Sequence, residues 1–243
     1  MHSRAFTTKF KRLLNLTGVE GQFLNTIQIN PQVIGANRDV GREGDRAWRC
    51  VIILEGLAAT SKLDENGKRQ TAAFHMAGDM PDLMTLHLNL LDSDIRTISD
   101  CTVAFIEHGI LRALCENHPR LAATLWRTTL IDASIYREWV LNLGRRPALN
   151  RMAHLLCEVL CRMDDRGLVT DQVCEFNITQ ADLGDATGLS VVHVNRTIQA
   201  LRKKDLIAFA NGTLTIKDWD GLASLAGFNP DYLHLDREQK LIH

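Results

Sequence analysis

Residues 178–207 read ITQADLGDATGLSVVHVNRTIQALRKKDLI, and the punctuation of this stretch decides the fold of the chain. Thr179 followed three residues later by Asp182 has the form of a capping box, in which side-chain oxygens satisfy the first free amides of a helix. A short helix is predicted from Gln180 to Ala186. Gly188 stops it, because glycine takes the left-handed conformation that ends a helix without strain. Ser190 then caps a second helix running from about Val191 to Lys204. Two helices joined by a turn of a few residues result.

The second helix separates its faces. Val194, Ile198 and Leu201 recur at spacings of four and three and would pack inward, leaving Val191, Val192, Asn195, Arg196 and Gln199 on or near the opposite side. Between Ser190 and Lys204 there are four basic residues, Arg196, Arg202, Lys203 and Lys204, and no acidic one, in a chain whose net charge is -1. A local positive field of this kind suits the phosphates of nucleic acid. The following residues, LIAFANGTLTIKDW, hold β-like runs at Ile207 to Phe209 and Thr213 to Ile216 around Asn211-Gly212, a strong hairpin turn. Helix, turn, helix and hairpin make a winged helix-turn-helix. A solvated basic surface is the plainer alternative, but cap, glycine turn, charge asymmetry and wing occurring together in order favour a DNA-binding unit.

On these residues the chain resembles the DNA-binding half of the Crp-Fnr superfamily of bacterial transcription regulators. Upstream, Ile52 to Gly56 (IILEG), the turn Asp64-Glu65-Asn66-Gly67 and the pair Gly78-Asp79 resemble the hairpins and ligand-facing loop of that family's cyclic-nucleotide-binding-type β-roll. The resemblance implies an α+β chain in four parts. Residues 1–115 would form a double-stranded, jelly-roll-like β-roll sensor with a short N-terminal helix. Residues 116–144 would be a long dimerisation helix and hinge, 145–227 the winged helix-turn-helix and 228–243 a tail. It further implies a homodimer on an inverted-repeat duplex site, with RNA polymerase as a partner and the cytoplasm as location. Val191, Val192, Asn195 and Arg196 match the family's base readers. Thr179, Gln180, Ser190, His193 and the wing residue Thr213 are candidates for phosphate contacts. Well-known members carry an acidic residue where Val192 stands, so a cytosine contact there gives way to contact with a thymine methyl.

The sensor half departs from the family's nucleotide binders. Their loop resembles G-D-x-x-G-E-L followed by an arginine, a small hydroxyl residue and alanine, whereas this chain reads GDMPDLMTLHLNLLDSDIRTIS from Gly78. Asp82 stands where the ribose-binding carboxylate would be, Pro81 replaces a glycine, and Arg96 falls in the next strand. The run LMTLHLNLL reads as an apolar helix closing a pocket, and Phe74, Met76, Asp82, Leu86 and His87 are the candidate effector residues. Three readings stay open: a less charged small-molecule effector, a haem or gas ligand through His75 or His87, or no ligand. A lone histidine among apolar residues is more often a hydrogen-bonded core residue than a ligand. No cofactor is assigned.

The remainder of the sequence sets bounds. At 243 residues, 45% hydrophobic and 23% charged, the chain has the composition of a soluble two-domain protein. No apolar run reaches the roughly 20 residues that span a bilayer, and no secretory signal is apparent in MHSRAFTTKFKRLL. From about Gln22 to Ile110 short β-like runs alternate with turns; RCVIILEGLAATSKL and TAAFHM read as two strands around the hairpin DENGK. Phe6, Phe10, Leu13 and Leu14 suggest a small amphipathic helix ahead of them.

From Pro119 to Leu143 the apolar positions form two stripes. One holds Ala122, Trp126, Thr129, Ala133, Tyr136, Val140 and Leu143; the other holds Leu121, Leu125, Thr128, Asp132, Ile135 and Trp139. Two stripes suggest packing on the chain's own roll and on a symmetry mate, the alternative being burial in one larger core. Gly144, Arg145, Arg146 and Pro147 break the helix. The six cysteines are far apart and form no C-x-x-C pair, so a disulfide framework is not expected. His154, Cys157 and Cys161 share a helical face and could ligate a soft metal, but core packing is the stronger reading and no metal site is assigned. The chain lacks G-x-S-x-G, P-loop and H-E-x-x-H motifs and is not expected to be an enzyme.

Overall fold

The computed structural model describes residues 30–235. The helix expected around Phe6 to Leu14, the start of the β region at Gln22 and the end of the 228–243 tail lie outside them. The chain divides into two compact units that meet between Asp132 and Ala133, the second also taking in Leu63–Ala73.

The expected roll comprises the first unit together with residues 63–73. Its strands are β1 (Gln32–Ile34), β2 (Asp39–Gly41), β3 (Arg49–Glu55), β4 (Ala58–Leu63), β5 (Arg69–His75), β6 (Asp94–Thr97) and β7 (Cys101–Glu107). They form two antiparallel sheets, in the orders β1-β7-β3 and β2-β6-β4-β5. The run RCVIILEGLAATSKL, expected as one strand, is two strands in different sheets. Gly56 makes the corner: its φ is +90°, and a Cβ there would stand 2.3 Å from the Asp100 carbonyl oxygen. Only glycine turns the chain there without strain.

β3 is buried on both faces, which is why it reads as a continuous apolar run. Val51 and Ile53 join Leu91, Ile95, Cys101 and Val103 in one core cluster. Cys50, Ile52 and Leu54, pointing the other way, join a second cluster that includes Leu86 of α1 (Thr85–Leu88) and Leu111 and Leu114 of α2 (His108–Asn117). Leu121 and Leu125, from the start of α3 (Pro119–Arg145), complete it.

Along α3 the two stripes meet different fates. Leu121, Leu125, Ile135 and Trp139 are buried, whereas Trp126 is 68% and Val140 72% exposed.

In the second unit α4 (Ala148–Asp165) is the central helix, with residues 152–163 all buried. It packs against α5 (Gln180–Thr187), α6 (Val191–Lys203) and α7 (Trp219–Ala226). Cys157 and Cys161 lie in this core, and His154 stacks on Tyr232 and meets the Phe228 ring edge to face. Burial pushes the His154 imidazole down to about 3, so the ring is neutral. A three-stranded sheet of β8 (Val173–Glu175), β9 (Ile207–Ala210) and β10 (Thr213–Ile216), in the order β8-β10-β9, forms the wing. Asn211 and Gly212 both have positive φ, as the two-residue turn requires. The buried Glu158 accepts from the Trp139 indole at 3.0 Å and the Tyr232 hydroxyl at 2.7 Å, tying the end of α3 and the chain after α7 onto α4.

Asp82 is a structural tie in the roll. Both its carboxylate oxygens accept from the Val51 amide, at 2.9 and 3.0 Å, and burial pushes its carboxyl up to about 7, desolvation outweighing the Val51 bonds and the charge of Arg49. The folded state therefore holds a proton that the unfolded chain releases near pH 4. This contribution to stability is complete below about pH 4 and is lost as pH rises through about 7. Relative to Asp82→Asn, the wild-type protein is expected to lose about 1.4 kcal/mol per pH unit across that window in denaturant unfolding. Parallel stability curves for the two proteins would contradict this.

Candidate nucleic-acid interface and sensor cavity

The interface is built on α5 and α6. Thr179 accepts from the Asp182 amide at 3.1 Å, and the Asp182 carboxylate accepts from the Thr179 amide at 3.2 Å, so the capping box is formed. The Thr179 hydroxyl also donates to Asp182 at 2.5 Å. Its proton is thus committed inside the cap rather than turned to a phosphate. Gly188 is left-handed at φ +64°. In the adjoining turn, the Leu189 carbonyl oxygen would lie 2.6 Å from any Cβ on Gly184, which explains the glycine on that side of α5. Ser190 accepts from the His193 amide at 3.3 Å, and among the described residues its own hydroxyl donates no hydrogen bond.

Val194, Ile198 and Leu201 are buried, as their spacing requires, and Thr197 joins them. The opposite face is open. Val191 is 49% and Val192 62% exposed; His193, Asn195 and Arg196 are also exposed. The basic residues divide. Arg202 donates to the Phe209 carbonyl and so locks the helix to the wing. Arg196, Lys203 and Lys204 make no side-chain hydrogen bond or ion pair among the described residues and keep their charge for an anion. Gln180, the first residue of α5, meets α6 through Asn195, whose Nδ2 donates to Gln180 Oε1 at 3.5 Å. Thr213 is half-buried at the start of β10.

Of the five residues expected at an effector site, Phe74, Met76 and Leu86 are core, and His87 is exposed on the outer side of α1 rather than centred in a pocket. The helical period explains this: with Leu86 and Thr85 turned inward, its neighbour faces out. Asp82 borders a cavity of about 110 Å³, whose wall also includes Arg49, Trp48 and Phe105. The Arg49 guanidinium lies 3.7 Å above the Phe105 ring. Nothing in the sequence period marks these residues, because the two strands and the loop they come from are far apart along the chain. His75 is buried and its Nε2 is 3.2 Å from the Thr60 hydroxyl. Among the described residues no helix is long and apolar enough to cross a membrane.

Comparison with known proteins follows the same division. Residues 32–118 match the cyclic nucleotide-binding domain model, and residues 150–225 match the Crp-like helix-turn-helix domain model. The chain is 25% identical over 186 residues to the fumarate and nitrate reduction regulatory protein of Shigella dysenteriae, covering 76% of this chain and 74% of that protein. It is 24% identical over 178 residues to the nitrogen fixation regulation protein FixK of Azorhizobium caulinodans, covering 73% and 71%. The fold is that of FixK2 from Bradyrhizobium japonicum, with TM-score 0.74, 22% identity, and 82% of this chain and 98% of that chain covered. A β-roll and a capped, open-faced helix-turn-helix, each matched by its own domain model, place the chain in the Crp-Fnr superfamily of transcription regulators.

Proposed function

We propose that the protein is a homodimeric, sequence-specific transcription regulator that reads an inverted-repeat DNA site with α6, under an effector at the roll that is not a typical cyclic nucleotide. The observation that carries it is the exposed face of α6, where Val191, Val192, Asn195 and Arg196, which is unpaired among the described residues, lie together opposite a buried face. Arg196 offers a planar fork that suits the O6 and N7 acceptors of guanine. The exposed valines suit thymine methyls. Ser190 and His193 at the helix start, Gln180, and Thr213 of the wing have the reach for phosphates; the backbone of Thr179, more than its hydroxyl, would serve there.

Dimerisation is supported by the first stripe on α3, in which Trp126 and Val140 are exposed and Ala122, Thr129, Ala133, Tyr136 and Leu143 are half-buried. A second copy of the same helix covers such a stripe in a twofold interface. RNA polymerase as a partner and a cytoplasmic location follow from the same reading. A non-nucleotide effector, or none, is supported by the roll itself. The Asp82 carboxyl is tied to the Val51 amide inside the fold rather than turned out toward a ribose hydroxyl.

Arg196→Ala is expected to weaken binding to the cognate duplex by about 1 to 3 kcal/mol while changing affinity for random duplex much less; equal losses on both in a titration would count against base reading. Footprinting is expected to protect two half-sites with centres about 34 Å, one helical turn, apart. Protection of one asymmetric half-site would remove the dimer.

A further inference from the structure

We infer that Asn195 reads an adenine in each half-site and that Gln180 is its positioning residue. The inference rests on the reading of α6 as the base-reading helix and adds the identity of one base. Val191 and Asn195 are four residues apart on α6, as are Val192 and Arg196, so the four side chains form one compact exposed patch. The valines have no hydrogen-bonding groups. Polar discrimination within the patch therefore falls to Asn195 and Arg196.

The two polar side chains are prepared differently. Arg196 makes no side-chain hydrogen bond among the described residues, whereas the Asn195 amide donates one N–H to Gln180 Oε1 at 3.5 Å. The Gln180 backbone is fixed, because it follows Thr179 in the formed capping box and lies in the first turn of α5. A carboxamide has two N–H donors and one carbonyl acceptor. With one N–H committed to Gln180, Asn195 presents a single donor beside a single acceptor. In the major groove adenine alone pairs an N7 acceptor with an adjacent N6 donor; guanine shows two acceptors, cytosine a donor, and thymine an acceptor and a methyl. The contact with Gln180 also limits rotation of the amide before DNA arrives, which lowers the entropy lost on binding.

The test is selection from a randomised duplex library by the full-length wild type, Asn195→Ala and Gln180→Ala. The wild type is expected to specify an adenine at one position of each half-site. Asn195→Ala is expected to lose preference at that position alone, the other selected positions reporting an intact helix. Gln180→Ala is expected to keep the adenine but with preference reduced about threefold, on the scale of a single modest hydrogen bond.

Replacing that adenine by 7-deazaadenine, which removes the N7 acceptor, is expected to weaken wild-type binding about tenfold and to leave Asn195→Ala unchanged. Identical selected sequences for wild type and Asn195→Ala, or loss of a base other than adenine, would overturn the inference while leaving DNA reading by α6 standing. A wild type that selects no sequence would overturn both.

Discussion

Burial of Val194, Ile198 and Leu201 under α6 is the constraint from which the interface follows. Each such side chain contributes roughly 1.5 to 3 kcal/mol when removed from water, and all three sit at 5% exposure or less. Turning the helix by one residue, about 100°, would expose them and force Asn195 or Arg196 into the core, where an unpaired charge is costly. The rotation of α6 about its axis is thereby fixed. The Gly188 turn and the Ser190 cap fix where it starts, and Arg202 fixes its far end against β9. The exposed patch is what remains once these requirements are met.

The roll obeys a different constraint. β3 is apolar on both faces and is buried between two clusters, so the segment from Met80 to Leu86 has to satisfy its polar groups inside the fold. Asp82 does so by capping the Val51 amide, and Thr85 donates to the Asp82 carbonyl at 2.7 Å while lying 3.2 Å from His108 Nε2. The Asp82 carboxyl is thus a fastening of the protein to itself. What remains beside it is a small cavity with a guanidinium stacked on Phe105.

The second unit was readable from the sequence almost residue by residue because its determinants are local. Cap, stop, cap and hairpin turn each depend on contacts within about four residues, and Thr179, Gly188, Ser190 and Asn211-Gly212 all act as their types dictate. The helical period of α3 was likewise legible, since Leu121, Leu125, Ile135 and Trp139 are buried at helical spacings. The roll was less so. The corner at Gly56 depends on the carbonyl of Asp100, and the cavity draws on residues from Val40 to Phe105. His87 was misplaced because a four-residue helix is too short to declare its inward face. β8 escaped notice because Val173 to Glu175 is three residues long and gains its strand character only by pairing with β10.

The most direct measurement is the ratio of the protein's affinities for the duplex it selects and for random duplex of equal length, at moderate ionic strength. A helix whose apolar face fixes its exposed readers against base edges predicts a ratio of about a thousand or more. A ratio near one, with affinity falling steeply in salt for both duplexes, would mean that α6 holds phosphates without reading bases and would contradict the account.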